Sequence, residues 1–205
     1  MSTILCIDTA SDRFALAVDR DGVVTGLEAE AERDHSKLIL PAVASLLGDE
    51  PKLDAILVVT GPGAYAGVRV GIATAEGLAL AYGTGVFGIG TLEAVALARG
   101  DEGETAPFAA IHPAGRGEFA VQQFEAGAPA GPVTIATPDA IGAGGRGEGA
   151  ARHGGIEVTP LQRAMAALRD RAPRIRSGEL AAGAEAFYLR EPNITVSRRQ
   201  RAAAL

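Results

Sequence analysis

Residues 55–71 read AILVVTGPGAYAGVRVG. The run from Ala55 to Thr60 has the pattern of a buried strand, the glycines after it make a turn, and the chain from about Ala66 to Tyr82 takes up helical spacing. Strand, glycine-rich turn and helix is an arrangement in which many proteins cradle a phosphate. Neither standard form of that arrangement is met. A dinucleotide fingerprint needs G-x-G-x-x-G, whereas these glycines stand at 61, 63 and 67, with the last gap one residue too long. A P-loop ends in Gly-Lys-Ser/Thr, and here Gly67 is followed by Val68 and Arg69.

The helix accounts for the glycines better. Over 17 residues it carries two charges, Arg69 and Glu76. At 100° per residue Arg69, Ala73, Glu76 and Leu80 share one face, and Gly67, Gly71, Thr74 and Leu78 lie opposite. A glycine face sits close to a sheet because no Cβ holds the backbones apart. On this reading Gly61, Gly63, Gly67 and Gly71 are structural. The outer face is nearly as apolar as the inner one, so either the chain itself or another protein must cover it.

The preceding segment repeats the theme. A helix over His35 or Ser36 to Leu47, capped by Asp34 or Ser36 and closed by Gly48, carries Ile39, Val43, Leu46 and Leu47 on one stripe. Leu38, Ala42 and Ser45 form a second, offset stripe of apolar or small residues. A helix lying on a sheet needs only one such stripe.

Before this, Ile4 to Asp8, Phe14 to Asp19 and Val23 to Glu28 read as an antiparallel meander, with Asp21-Gly22 as a hairpin turn. After it, strand Gly85 to Ile89 and helix Thr91 to Arg99 extend the alternation, which implies parallel strands joined by right-handed crossovers. The polar break GDEGET at 100–105 is a lobe boundary. Beyond it Phe108 to Ile111 and Glu118 to Phe124 read as strands, and this strand–turn–strand opening resembles that of the first half. From Ala126 to Gly155 periodicity fades. Leu161 to Arg171 and Glu179 to Ala184 are helix candidates.

Composition narrows the function. At 205 residues the chain has material for a sizeable core, and 47% hydrophobic against 21% charged residues is globular. The net charge of −6 argues against binding a polyanion through the overall field. The one dense basic run, Arg198, Arg199 and Arg201, is a short terminal tail. Cys6 stands alone within an apolar strand, and MSTILCIDTA lacks the charged and apolar regions of a secretory leader, so a reducing cytoplasm is the expected setting. His35, His112 and His153 have no helical pairing that would announce a metal. Asp8 and Thr9 end the first strand in IDTA, where an acid serves either as a turn former or as a ligand to magnesium and phosphates.

ILCIDTA, ERDHSKLILPAVASLL, VVTGPGAYAGVRVGIATAEGLALA and GIGTLEAVA occur in an order and spacing that resemble the bacterial TsaB (YeaZ) family over residues 3–98. RGEFAVQQF and FYLREP extend the likeness more thinly. The resemblance implies an α/β, two-lobed actin/sugar-kinase/Hsp70-like fold with mixed sheets. Residues 1–100 would form the first lobe and 101–205 a reduced second one. It implies a non-catalytic scaffold that pairs with TsaD through a helical bundle, recruits TsaE, and touches tRNA through the complex. That complex forms N6-threonylcarbamoyladenosine at position 37 of ANN-decoding tRNAs. Leu38, Ala42, Ser45, Arg69, Ala73, Glu76 and Leu80 would then be partner-binding, and Asp8 and Thr9 a vestigial nucleotide site. No metal or cofactor would be bound by this chain, ATP and metal belonging to its partners. Self-association without TsaD stays open. In place of the family's usual Asp-Ala-Arg the chain has His112-Pro113-Ala114-Gly115-Arg116, which removes an acid. The competing reading is a free-standing nucleotide-dependent phosphotransferase using Asp8, and the stretch Ile111 to Gly117 lacks the acid its second phosphate turn would need. A metallopeptidase reading fails for want of a histidine pair.

Overall fold

The computed structural model describes residues 2–31, 35–48, 52–98 and 106–190. The proposed cap Asp34, the break at 100–105, the end of FYLREP and the terminal arginines lie outside the described residues.

Strands β1 (Thr3–Asp8), β2 (Arg13–Arg20) and β3 (Val23–Glu30) form the expected meander, with Cys6 opposite Ala17 and Ala17 opposite Gly26. Helix α1 (His35–Leu47) leads to β4 (Ala55–Val59), which runs parallel to β1 with Leu57 beside Cys6. Helix α2 (Tyr65–Tyr82) leads to β5 (Gly85–Ile89), parallel to β4. The first sheet therefore has the order β3-β2-β1-β4-β5.

This sheet is covered on both faces, which is why β1 and β4 are unbroken apolar runs rather than alternating ones. On one side Leu5, Ile7, Leu16, Ile56 and Val58 meet α1 and α2. On the other, Ile4, Cys6, Ala17 and Leu57 meet the last helix, α5 (Pro160–Arg176). That helix starts with a reciprocal capping box between Thr159 and Gln162, with Pro160 in its first turn. Its alanines let it lie close to the strands.

The second sheet is built from β6 (Phe108–Gly115), β7 (Glu118–Glu125), β8 (Ala128–Pro129), β9 (Thr134–Ala136), β10 (Gly145–Gly147) and β11 (Ile156–Glu157). β6 and β7 are an antiparallel pair, β8 and β9 both pair antiparallel with β7, and β10 and β11 follow parallel on the far side of β6. The order antiparallel, antiparallel, first strand, parallel, parallel is that of the first sheet, with shorter strands around the central pair. The likeness of the two strand–turn–strand openings thus extends to whole sheets, and the fold is the two-lobed α/β form. Residues 126–155, patternless in sequence, hold three of these strands and a four-residue helix, α4 (Pro138–Ile141), each too short to show a period.

One expectation changes. Residues 179–184 are not helical: Gly183 makes an isolated parallel bridge to Phe87, donating to Val86 and accepting from Gly88, so the segment extends the β5 edge. Strand-edge pairing outweighs helix propensity in a run that contains Gly183. Helix α3 (Thr91–Leu97), reached from the first sheet, puts Leu92 and Val95 against Phe108 and Phe124 of the second. Among the described residues no helix is long and apolar enough to cross a membrane.

Candidate functional site

Gly67 and Gly71 are one turn apart on the face of α2 that meets the end of β1. A Cβ on Gly67 would overlap the Thr9 carbonyl oxygen, and one on Gly71 the Thr9 hydroxyl. The Thr9 hydroxyl donates to the Gly67 carbonyl at 2.8 Å. A Cβ on Gly63 would strike the Ala10 carbonyl oxygen. Gly61 has φ 104° and its Cβ would meet the Phe187 backbone. The loop therefore serves close packing, as the spacing implies, and α2 sits directly on the Asp8–Ala10 turn.

With that face committed, the opposite one is bare. Arg69, Ala73 and Glu76 are exposed, and Leu80 is 87% exposed. Thr74 and Leu78, on the inner side, are half-buried. In the neighbouring α1, Ile39, Val43 and Leu47 are buried, whereas Leu38 and Ser45 are exposed and Ala42 is half-buried against the core. Three exposed apolar side chains were missed in the sequence: Leu40, at 53%, with Tyr65 and Tyr82 at the two ends of α2. Arg69 donates to the Tyr65 hydroxyl at 2.7 Å, which ties down one of the two charges on this face. Two neighbouring helices thus both leave apolar side chains exposed.

The second feature is a cleft of about 470 Å³ between the ends of the two sheets, lined by Ser11, Asp12, Gly63, Tyr65, Tyr188 and Arg190 among others. Behind two of its lining residues, His112 and Glu148, lies a buried polar cluster. Asp8 is fully buried, and its carboxylate accepts from Arg163 Nε at 2.9 Å and from the Ala10 amide at 3.0 Å. Arg163, also fully buried, projects from α5 and donates through Nη1 to Glu148, just past β10, at 3.0 Å. Burial works against the Arg163 charge, but Asp8 and Glu148 outweigh it and raise its pKa. His112 donates through Nε2 to the Ala10 carbonyl at 3.1 Å. Its Nδ1 has no hydrogen-bond partner and stands 3.8 Å from Glu148. Burial, then the Arg163 charge, pull the His112 pKa down to about 3, so the ring is neutral near pH 7.

In this cluster the charges of Asp8, Arg163 and Glu148 are already paired, and His112 Nδ1 is left without a partner. The acid that a magnesium-phosphate site would require already holds a guanidinium. Among the described residues no group of three or more His, Cys, Asp or Glu could hold a metal. Thr9 is spent on α2. His112, in the place of the usual acid, supplies a neutral donor. His35, considered as a helix-start residue, is buried and its Nε2 donates to the Ser11 carbonyl at 3.0 Å. Arg163 and Glu148 were not singled out from sequence. The available signal was an arginine on the apolar stripe Pro160, Ala164, Ala167 and Leu168, which demands a buried acid.

A family model described as TsaD, tRNA N6-adenosine threonylcarbamoyltransferase, matches residues 20–182. The chain is similar to the tRNA threonylcarbamoyladenosine biosynthesis protein TsaB of Escherichia coli K12, 36% identical over 97 residues, which cover 45% of this chain and 42% of that one. It is similar to the TsaB of Bacillus subtilis 168, also 36% identical, over 46% of this chain and 43% of the relative. The matches span less than half the length of these curated relatives. A solved structure from Pseudomonas aeruginosa, described as an uncharacterized protein with similarity to peptidase YEAZ, superposes with a TM-score of 0.74 at 26% identity. That match covers 93% of this chain and 100% of that one.

Proposed function

We propose, because the chain belongs to the TsaD family and within it to the TsaB (YeaZ) members, that it is a non-catalytic scaffold for threonylcarbamoylation of tRNA. It docks on TsaD, and the pair with TsaE forms N6-threonylcarbamoyladenosine at position 37 of ANN-decoding tRNAs. The observation that supports this reading is the uncovered apolar side of α1 and α2. Two helices of a partner laid against it would make a four-helix contact. Specific interfaces of this kind bury about 1,600 Å² in total. Leu38, Ala42, Ser45, Arg69, Ala73, Glu76 and Leu80 are the contact residues on this side. No step of the group transfer falls to this chain. Asp8 and Thr9 are a vestigial nucleotide site, and ATP and metal belong to the partners.

Ala73→Glu places a charge in the middle of the apolar side without touching the core. The variant is expected to keep its circular dichroism spectrum and to lose co-purification with TsaD. A folded Ala73→Glu chain that binds TsaD as well as the unaltered chain overturns the assignment of this face.

A further inference from the structure

The turn Asp8–Ala10 is gripped from three directions. From α5, Arg163 holds the Asp8 carboxylate. From α2, the Ala64 amide donates to the Ala10 carbonyl at 2.7 Å, and Thr9 holds the Gly67 carbonyl. From the second sheet, His112 donates to the same Ala10 carbonyl. Arg163 then continues to Glu148, just past β10 of the second sheet. Two polar links therefore cross from the first sheet and α5 to the second sheet, the part-buried Arg163–Glu148 and the buried His112–Ala10, and both meet at the residues that seat α2.

Buried ion pairs add little net stability, because desolvation offsets their attraction. Their geometric demands are strict, however, and a half-satisfied buried network is costly. The apolar contact through α3, where Leu92, Val95 and Ala96 meet Phe108, Ala110, Ala120 and Phe124, is non-directional. Donors and acceptors are directional. We propose that Arg163, with Glu148 and His112, is a lock that holds the two sheets at one angle and thereby positions the outer face of α2. Arg163 acts as a positioning residue, and no bound ligand is needed to close the cleft. The lock stands on the geometry alone. Its consequence for docking rests on the function proposed above.

The test uses spin labels at Val23→Cys and Ile156→Cys, exposed positions on the outer strands of the two sheets. The native Cys6 is fully buried, so it does not compete for label. With Glu148 and His112 intact the label–label distance is expected to be one narrow distribution, unchanged by ATP and magnesium. Glu148→Ala leaves Asp8 and Arg163 paired within one layer, so the fold survives, and the distribution broadens. Adding His112→Ala broadens it further. A distribution that stays as narrow in both variants overturns the lock. In a titration with TsaD, Glu148→Ala is expected to weaken binding about two- to thirtyfold, the usual range of coupling between connected sites. Broadening with unchanged affinity overturns the positioning of α2 and leaves the lock standing. Failure of the chain with Glu148 and His112 intact to bind TsaD overturns the proposed function instead, and leaves the distance result untouched.

Discussion

Gly67 and Gly71 carry the contact between α2 and the end of β1, and they can be contrasted with Gly77 on the same helix. A methyl group on Gly71 would run into the Thr9 side chain, whereas one on Gly77 meets nothing within 4 Å. Gly71→Ala is therefore expected to cost about 1–3 kcal/mol through overpacking. Gly77→Ala is expected to gain up to about 1 kcal/mol from helix propensity. Urea unfolding of the two variants, read as opposite shifts in midpoint, checks both. His112 sets a pH dependence. Its pKa is about 3 against an ordinary 6.5, from burial first and from Arg163 second, with the Ala10 carbonyl and Asp8 opposing. Glu148 is the other charge facing the ring. Below the ordinary value the unfolded ring takes up a proton that the folded ring refuses. The unfolded state then binds more protons, so stability falls as pH drops from 6.5 toward 3. The slope reaches about 1.4 kcal/mol per pH unit. His112→Gln is expected to flatten that slope by about one proton, measured as urea midpoints at a series of pH values in this window.

Among the helices, α5 does the most to join the parts. It covers one face of the first sheet, reaches Asp8 through Arg163 and Glu148 beyond it, and begins with a reciprocal cap. Thr159→Ala removes the hydroxyl that accepts from the Gln162 amide. The loss is expected to be about 1 kcal/mol, seen as a lowered denaturation midpoint. The inner stripe of α1 was legible from its period because every third or fourth residue must be apolar to meet the sheet. In α2 the buried face is Gly67, Val68, Gly71, Ala75 and Ala79, so the expected Thr74 and Leu78 lie half-buried at its flank. The outer stripes were legible for the converse reason: an apolar residue on the solvent side has no intramolecular use. Residues 179–184 were misread because their alanines favour a helix in isolation. Only the open edge of β5 supplies the backbone partners that make the segment extended.

The two sheets share one strand order, and behind the cleft between them lies a cluster whose charges already satisfy one another. A phosphotransferase would need Asp8 free to hold a metal ion, and freeing it means extracting a buried guanidinium. Isothermal titration of the isolated chain with ATP and magnesium is accordingly expected to give no binding heat. Tight binding would reinstate the phosphotransferase reading.

Local chemistry in the chain was enough to specify the meander, with Asp21-Gly22 at its turn, the parallel strand–helix units and the two-sided apolarity of α1 and α2. Each depends on neighbours within a few residues, through backbone preference or through the period of apolar side chains. Tertiary structure alone decided that Arg163 lies 155 positions from Asp8 in sequence yet against it in space. It also decided that α5 returns to the first sheet and that Glu148 and His112 close on the same turn. A buried charge is stable only beside its counter-charge, and sequence spacing carries no record of which acid the folded chain will bring there.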